Sequence, residues 1–338
     1  EDCWKGRILD MSVTVEDIAK ACGVSRGTVD RALNNKPRIS PETKEKILKV
    51  AKELGYRPDL LARSLVKGRT MSIGVVAFDL KNRFFAQLVN SIEAEARKRN
   101  YTINITLQEE DPELEIQLIN SLVGRRIDGI ILCPVNKGEE FSNFISSLPI
   151  PVLVIGNVLS PSIPYIGIDE AKAARDATNM IISKGYERIV FVCPPLYKRN
   201  KKNIYSHEQR LDGFLKTVKV HKEIEYGVVS GMNFIQKVDS LLDSSTKKTA
   251  LFCSGDTFAL DIIKHLRAKG KKVPQDVGIM GFDGIDTLEY VTPALGTVLY
   301  PVEKTGKKAV ENLVEMINGK SIEKRILMKY KIIDGESL

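Results

Sequence analysis

The chain has 338 residues, of which 43% are hydrophobic and 28% are charged, and its formal net charge is +8. A soluble chain of this length holds two or three domains with cores of their own. No apolar run approaches the roughly 20 residues of a membrane span. The opening "EDCWKGRILD" lacks the apolar core of a signal peptide, so we interpret residues 1–11 as an N-terminal extension.

The five cysteines are scattered and odd in number, which is typical of reduced, buried thiols in a cytoplasm. They form no CxxC pair and the three histidines lie far apart, so no metal site is expected. Residues 11–70 hold 13 Lys and Arg against 7 Asp and Glu, whereas the 268 residues after them hold 36 against 33. This imbalance favours a polyanion as partner of the first segment, the alternative being a solvated basic face.

Two helices joined by a short turn are predicted near the start. Thr14 can cap a helix over "VEDIAKAC" that ends at Gly23, and Ser25 can cap a second helix two positions later. Arg26 and Gly27 then occupy the positions that meet base edges in a helix-turn-helix. The inward positions share helical spacing: Val15, Ile18, Ala19, Cys22, Val29, Ala32 and Leu33.

A third helix is predicted from the cap Ser40, with four inward positions: Ile47, Leu48, Ala51 and Leu54. The segment "GYRPDLLARSLVKGRT" then predicts a short fourth helix from Pro58. Its Leu61 and Leu65 are interpreted either as core residues or, because this is a linker about two turns long, as a wedge between minor-groove base steps.

The segment "VTVEDIAKACGVSRGTVDRALNNKPRISPETKEKILKVAKELGYRPDLLARSL" resembles the headpiece of the lactose-repressor (LacI/GalR) family across its whole length. The elements V-T-x-x-D-I-A, G-V-S-x-x-T-V-x-R, S-x-x-T-x-x-K and L-G-Y-x-P-x-x-x-A-R-S-L occur in the family's order and spacing. The resemblance implies an intercalating leucine at Leu65, with Ala62 beside it, in a hinge helix. It also implies DNA contacts at Thr14, Ser25, Arg26, Gly27, Thr28, Arg31 and Asn34.

Asp30 departs from the family, which most often has T-V-S-R where this chain has "TVDR". We expect it among the DNA-reading residues in one of two roles. It lies one turn after Arg26, so it can hold that guanidinium for a base. Alternatively, it accepts a hydrogen bond from a cytosine amino group.

From residue 71 onward, short apolar runs alternate with amphipathic stretches, which predicts α/β layers with parallel sheets. Strands are predicted at 72–79, 102–108, 128–134, 151–157, 188–194, 249–256 and 277–283. Helices are predicted at 84–99, 113–124, 170–184, 206–219, 233–243 and 256–269. The strands form two groups that split near 161–168, which indicates two similar lobes.

Polar side chains follow four of these strands: Asp79, Asn157, Asp256 and Asp283. Ligands bind at this edge of open α/β sheets, although each residue alone is also a good helix cap. Phe84 and Phe85 begin a helix after the first strand, and Arg210 lies in a later helix. Aromatic rings beside Arg and Asp suit a carbohydrate, the alternatives being core phenylalanines and a surface ion pair for Arg210.

The resemblance extends through the body to about residue 335, in segments such as "NRFFAQLVNSIEAEARKRNY", "RRIDGIILCP", "QRLDGF" and "VPQDVGIMGFDGID". It implies a periplasmic-binding-protein-like fold with two lobes, three crossovers and an effector in the cleft between them. Carried over by position, the cleft residues are Phe84, Phe85, Arg210, Asp256 and Asp283. The family often has an acid at Gly156 and Asn at Gly255, and we expect Asn157 to take over part of that role.

The sequence therefore predicts an all-α helix-turn-helix headpiece over 12–57, a hinge helix and linker over 58–70, and a two-lobed α/β effector domain over 71–338. The first lobe is expected at about 71–166 and 296–325, with a helix over 302–318. The second is expected at about 167–295, with the C-terminal segment.

The expected function is that of a cytoplasmic transcriptional regulator, most simply a repressor and a homodimer on a pseudo-palindromic double-stranded operator. A small-molecule effector, a sugar or sugar derivative, would control it; the alternative is a protein coregulator or a non-sugar metabolite. A solute-binding protein would leave the basic head unexplained. The chain has no GxSxG elbow and no phosphate-cradling glycine loop, so neither an enzyme nor a bound cofactor is expected.

Overall fold

The computed structural model describes residues 13–57, 68–195, 201–231, 233–244 and 246–338. The chain divides between Thr70 and Met71 into two compact units, here called the headpiece and the body. The N-terminal extension and the predicted hinge helix, with its Ala62 and Leu65, lie outside the described residues.

The headpiece contains three helices in its described residues: α1 (Val15–Cys22), α2 (Arg26–Leu33) and α3 (Pro41–Glu53). The predicted caps are confirmed, because Thr14, Ser25 and Ser40 each accept a hydrogen bond from a backbone N–H in the first turn of their helix. Gly23 ends α1 with φ of 68°, a left-handed conformation that glycine adopts without steric cost.

The three helices enclose a small core of their own, made of Ile18, Ala19, Cys22, Val29, Ala32, Ile47 and Ala51. Two residues of α3 that we predicted to face inward do not: Leu48 is 43% exposed and Leu54 is 41% exposed. Leu48 follows the buried Ile47, and one residue rotates by about 100° around a helix, so it falls outside the contact with α1 and α2. Leu54 is the C-cap residue of α3 and lies at the end of the helix.

The body alternates strands and helices along the chain. Its first half contains β1 (Ser72–Ala77), α4 (Arg83–Lys98), β2 (Thr102–Leu107), α5 (Pro112–Gly124), β3 (Gly129–Leu132), α6 (Glu139–Ser147), β4 (Val152–Ile155) and β5 (Tyr165–Gly167). Its second half contains α7 (Glu170–Ser183), β6 (Arg188–Cys193), α8 (Tyr205–Val218), β7 (Glu225–Ser230), α9 (Phe234–Asp243), β8 (Thr249–Cys253), α10 (Asp256–Ala268), β9 (Gly278–Asp283), β10 (Gly296–Leu299), α11 (Val302–Ile317), β11 (Arg325–Leu327) and β12 (Lys331–Ile333). A short 3₁₀ helix, Asp286–Tyr290, follows β9.

These strands form two six-stranded sheets, one in each lobe. The first has the order β11-β5-β4-β3-β1-β2 and is parallel throughout. The second has the order β12-β10-β9-β8-β6-β7 and is parallel except for β12, which pairs antiparallel to β10. The seven predicted strands are all present, and the central ones are buried on both faces because helices cover both sides.

The chain passes between the lobes three times: after β5, after β10 and after β11. The return to the first lobe comes later than the sequence-based boundary near 296. Gly296–Leu299 pairs with β9 in the second sheet, and α11 then packs against α4 of the first lobe. Among the described residues, no helix is long and apolar enough to span a bilayer.

Candidate DNA-reading helix and ligand cleft

The outer face of α2 carries the side chains that we expect to contact DNA. Arg26 and Arg31 are exposed on it, and the Arg26 side chain is 74% exposed. Gly27 is exposed as well, and a Cβ atom built there would approach nothing nearer than the Ser25 Oγ at 3.7 Å. Packing within the headpiece therefore does not require a glycine at this position, whereas a surface that must approach a flat partner closely gains from one.

Asp30 holds different partners from the one we expected. Its carboxylate accepts hydrogen bonds from the Asn34 Nδ2 at 2.7 Å and from the Lys36 Nζ at 2.7 Å. Arg26 instead lies 3.8 Å from the Glu16 carboxylate on α1. Asp30 thus orders the C-terminal end of α2, and the hypothesis that it holds Arg26 is replaced by contacts one turn further along the helix.

Three other predicted DNA contacts also serve the local structure. Thr14 forms a capping box with Asp17, whose carboxylate accepts from the Thr14 hydroxyl at 2.7 Å and from the Thr14 N–H at 2.9 Å. The bond from the hydroxyl, and then the bond from the N–H, lower the pKa of Asp17. The Ser25 and Thr28 hydroxyls lie 3.0 Å apart at the start of α2. These side chains are at the surface, where a hydroxyl that caps a helix can also meet a phosphate.

In the body, a cavity of about 380 Å³ lies between the two lobes. Its lining comes from the segments that follow the carboxyl ends of the strands in both sheets, the edge at which open α/β sheets bind ligands. Of the predicted effector residues, five line it: Phe84, Phe85, Asn157, Arg210 and Asp283.

The polar floor of the cleft is centred on Arg210 of α8. Its Nε donates to the Glu170 Oε2 at 2.7 Å, and its Nη1 donates to the Asp283 Oδ1 at 3.1 Å and to the Ser254 carbonyl oxygen at 2.6 Å. The guanidinium also lies over the Phe282 ring, 3.6 Å from its centroid. Arg210 is 5% exposed, so it is a buried ion pair and not a surface one.

Burial and crowding shift the titration of this cluster. Burial raises the pKa of Asp283 to about 8, against the attraction of Arg210, and the nearby Asp256 and Glu170 raise it further. Burial likewise raises the pKa of Asp256 to about 6 and raises the pKa of Glu170. In the described part of the chain, this floor therefore holds more carboxyl groups than Arg210 can neutralise.

Aromatic rings cover the walls on both sides. In the first lobe, Phe78 and Phe85 pack with ring centroids 5.0 Å apart. In the second, Phe234 and Phe258 pack at 5.2 Å. Phe84 is 9% exposed and belongs to the core, where it packs edge-on against Tyr300, so the core interpretation holds for Phe84 while Phe85 is half-buried at the cleft.

Several side chains join the lobes around the cleft. The Asn157 Nδ2 donates to the Pro134 and Asn203 carbonyl oxygens, and its Oδ1 accepts from the backbone N–H of Ser206 at 3.1 Å, in the first turn of α8. Asn157 therefore positions α8 against the first lobe. Arg83 of α4 forms a bidentate ion pair with Asp286 of the second lobe.

Asp256 does not line the cleft. It is fully buried, and its carboxylate accepts from the Thr297 hydroxyl and from the backbone N–H groups of Gly284 and Ile285, so it holds the loop after β9 in place. Glu170, by contrast, was missed. It begins a helix after the three-residue strand β5, and no local pattern shows that its side chain meets Arg210 forty residues later.

The described part of the chain offers no cluster of three or more His, Cys, Asp and Glu placed to hold a metal ion. The four described cysteines, Cys22, Cys133, Cys193 and Cys253, are buried free thiols. Burial raises the pKa of Cys133 to about 12, which leaves this cleft thiol protonated and unreactive at neutral pH.

Known families match both units. The family model for bacterial regulatory proteins of the lacI family matches residues 14–59, and the model for a periplasmic binding protein-like domain matches residues 178–338. Catabolite control protein A of Priestia megaterium is 32% identical over 322 residues, which cover 94% of this chain and 96% of that protein.

Solved structures share the fold. The lac repressor dimer bound to operator and the anti-inducer ONPF has a TM-score of 0.85 at 20% identity, covering 96% of this chain and 99% of that one. A periplasmic binding protein/LacI transcriptional regulator from Alkaliphilus metalliredigens, complexed with D-xylulofuranose, has a TM-score of 0.70 at 25% identity and covers 79% of this chain and 98% of its own.

The chain belongs to the lacI family of bacterial regulatory proteins. It is a DNA-binding transcriptional regulator with an effector domain, and it is not an enzyme.

Proposed function

We propose that this regulator binds a pseudo-palindromic operator as a homodimer in the cytoplasm, acts as a repressor, and is controlled by a sugar or sugar derivative held in the cleft. The observation that carries the proposal is the cleft itself. It combines aromatic walls, from Phe85 and Phe258, with a buried Arg210–Asp283 pair at its floor. Aromatic faces pack on the apolar faces of a sugar ring, and a charged pair that is already positioned binds its hydroxyls.

The relatives support a small molecule as the effector. The regulator from Alkaliphilus metalliredigens was solved with D-xylulofuranose, and the lac repressor was solved with the anti-inducer ONPF on its operator. A ligand of comparable size suits a cavity of about 380 Å³.

On the DNA side, we assign base contacts to Arg26 and Gly27 and a base or phosphate contact to Arg31. The exposed positions of Arg26 and Arg31 on α2 support this assignment, because a guanidinium reads guanine through two hydrogen bonds. Thr14, Ser25, Thr28 and Asn34 would contact phosphates or groove edges, and Ala62 and Leu65 the minor groove.

Control would arise from two linked equilibria. Ligand binding favours one arrangement of the lobes, and that arrangement sets the distance between the two hinge segments of a dimer, hence their ability to fold on DNA. The Asn157 bridge and the Arg83–Asp286 pair join the lobes across the cleft, so they contribute to the energy difference between the two arrangements.

The test is a selection of bound sites from a random DNA pool, run with and without a panel of sugars and other metabolites. We expect an inverted repeat with a fixed half-site spacing, and one class of sugar that changes its recovery. If no metabolite alters the recovery of bound DNA sites, but a protein from a cell extract does, small-molecule control is contradicted and a protein coregulator is favoured.

A further inference from the structure

Among the residues that the structure describes, the carboxyl groups that line the cleft outnumber the cations. The lining includes the carboxylates of Asp79, Glu110, Glu170 and Asp283, against the cations of Lys202 and Arg210. Lys202 lies 3.4 Å from the Glu110 carboxylate and neutralises it across the cleft. Arg210 is then left facing Glu170 and Asp283, with Asp79 on the same lining, although the chain as a whole carries +8.

The cleft also contains polar atoms without partners among the described residues. The Glu170 Oε1 and the Tyr300 hydroxyl are buried and accept or donate no hydrogen bond there. A buried carboxylate oxygen without a donor is unfavourable, and an added donor with a positive charge satisfies it better than a neutral one does.

The aromatic walls favour the same chemistry. The Phe78–Phe85 pair belongs to the first lobe and the Phe234–Phe258 pair to the second, and all four rings line the cavity. Ring faces attract a cation, and they pack on a compact ring whose polar groups point outward.

Building on the proposed function, we infer that the effector is an amino sugar or a similarly compact polyhydroxylated amine, whose protonated amine lies against Glu170 and Asp283. A neutral sugar supplies hydroxyl donors to this floor, but it brings no charge that would stabilise Asp283 in its ionised form beside Glu170. An ammonium group supplies three donors together with a positive charge that compensates the ionised Asp283 carboxylate.

This assignment sets the pH dependence of binding. The charged groups that act on the Asp283 carboxyl are Glu170 at the start of α7, Arg210 of α8 and Asp256 of α10. Tyr300, after β10, contacts Asp283 through its backbone N–H, which donates to the Asp283 carbonyl oxygen at 3.0 Å. Asp283 holds a proton below its raised pKa of about 8, and an ammonium ligand requires the ionised carboxylate. Affinity for an amine should therefore rise between pH 6 and pH 7.5, whereas affinity for a neutral sugar should stay nearly constant.

The test titrates the full-length protein by calorimetry at pH 6.0 and 7.5 with three matched pairs: D-glucosamine and D-glucose, D-galactosamine and D-galactose, D-mannosamine and D-mannose. We expect at least one amine to bind ten-fold or more tightly than its parent sugar at pH 7.5. In Asp283→Asn that advantage should fall to about parity. In Asp261→Asn, which removes an exposed carboxylate from α10, it should persist.

If Asp283→Asn does not fold, as judged by circular dichroism, Asp79→Asn takes its place, at a half-buried position two residues after β1, and a partial loss of the advantage is expected. Equal or tighter binding of the neutral parents overturns the amine inference and leaves the proposed sugar-controlled function standing. Failure of all three amines to bind also overturns it, and the operator selection with the wider metabolite panel then decides the proposed function separately.

Discussion

Two arginines illustrate how differently the headpiece and the body present their polar groups. Arg26 on α2 exposes 74% of its side chain and pairs at 3.8 Å with Glu16, a contact worth little in water. Arg210 in the cleft exposes 6% of its side chain and is fixed by two carboxylates and a carbonyl oxygen. Arg26 can therefore be removed without unfolding the headpiece, whereas Arg210 is a structural residue of the body as well as a residue of the cleft.

The largest effect should follow from Arg210→Met, which leaves Glu170 and Asp283 buried without their cation. Removing one partner of a buried ion pair costs about 3–5 kcal/mol, and we expect the body to lose that much stability in urea denaturation. The control is Lys216→Met on the same helix, where an exposed pair with Asp212 is lost and the cost stays within about 1 kcal/mol. Equal stability of the two variants would show that the floor of the cleft does not depend on its arginine.

Substitutions of the adjacent Phe84 and Phe85 should affect stability and effector affinity differently. Phe84→Ala removes a core side chain and should cost about 3–5 kcal/mol of stability. Phe85→Ala removes a half-buried ring, so stability should fall by on the order of 1 kcal/mol while affinity for the effector falls at least ten-fold. Denaturation curves and calorimetric titration measure the two effects; a Phe85→Ala variant with unchanged affinity would exclude stacking on this ring.

In the headpiece, Arg26→Ala should leave the melting temperature within a degree or two, because the side chain is exposed. Operator affinity should fall by about 1–3 kcal/mol, and discrimination should relax at one base of each half-site. Anisotropy titrations against a set of single-base operator variants measure this. Uniform weakening across all of the variants would instead assign Arg26 to a phosphate.

The smallest effect is expected for Asp30→Ser. Because Asp30 holds Asn34 and Lys36, its loss removes a negative charge and releases a lysine, so binding to non-operator DNA should strengthen several-fold. Selectivity should relax, since Asn34 loses one of its partners. Glu53→Ser removes an acid from α3 as a matched control, and if it acts equally, Asp30 contributes charge alone.

The contrast between local contacts in the headpiece and tertiary contacts in the cleft explains which structural roles could be predicted from the sequence. Caps such as Ser25 and Ser40 act within three residues, so their roles can be read locally, and the strands of the body are evident from their apolar runs. Asp256 and Asp283 carry the same local signal, a carboxylate after a strand. The Asp256 carboxylate binds the loop after β9, whereas the Asp283 carboxylate binds Arg210. Only tertiary contacts determine which of the two lines the cleft.

The strands missed in the body are instructive for the same reason. Five strands of the body were not predicted. β5, β11 and β12 have three residues each, too few for a periodicity to show, yet the chain crosses between the lobes next to β5 and β11. β10 has four residues, and β7 is an edge strand with mostly exposed or half-buried residues, so it shows no long apolar run. Glu170 lies three residues after the end of β5, so the missed strand and the missed site residue belong to the same short segment. The prediction that Leu48 faces inward was wrong because an apolar residue next to a core position, here Ile47, is easily assigned to the same buried helix face.

The central claim is that occupancy of the cleft controls binding to the operator. Its most direct test measures the operator Kd of the full-length protein by fluorescence anisotropy while the metabolite identified in the selection is titrated, for the wild type and for Phe85→Ala. We predict a change in operator Kd of at least five-fold at saturation, with the midpoint shifted to higher metabolite concentration in Phe85→Ala. An operator Kd that stays constant in both proteins, at concentrations where calorimetry shows the metabolite bound, would contradict the account.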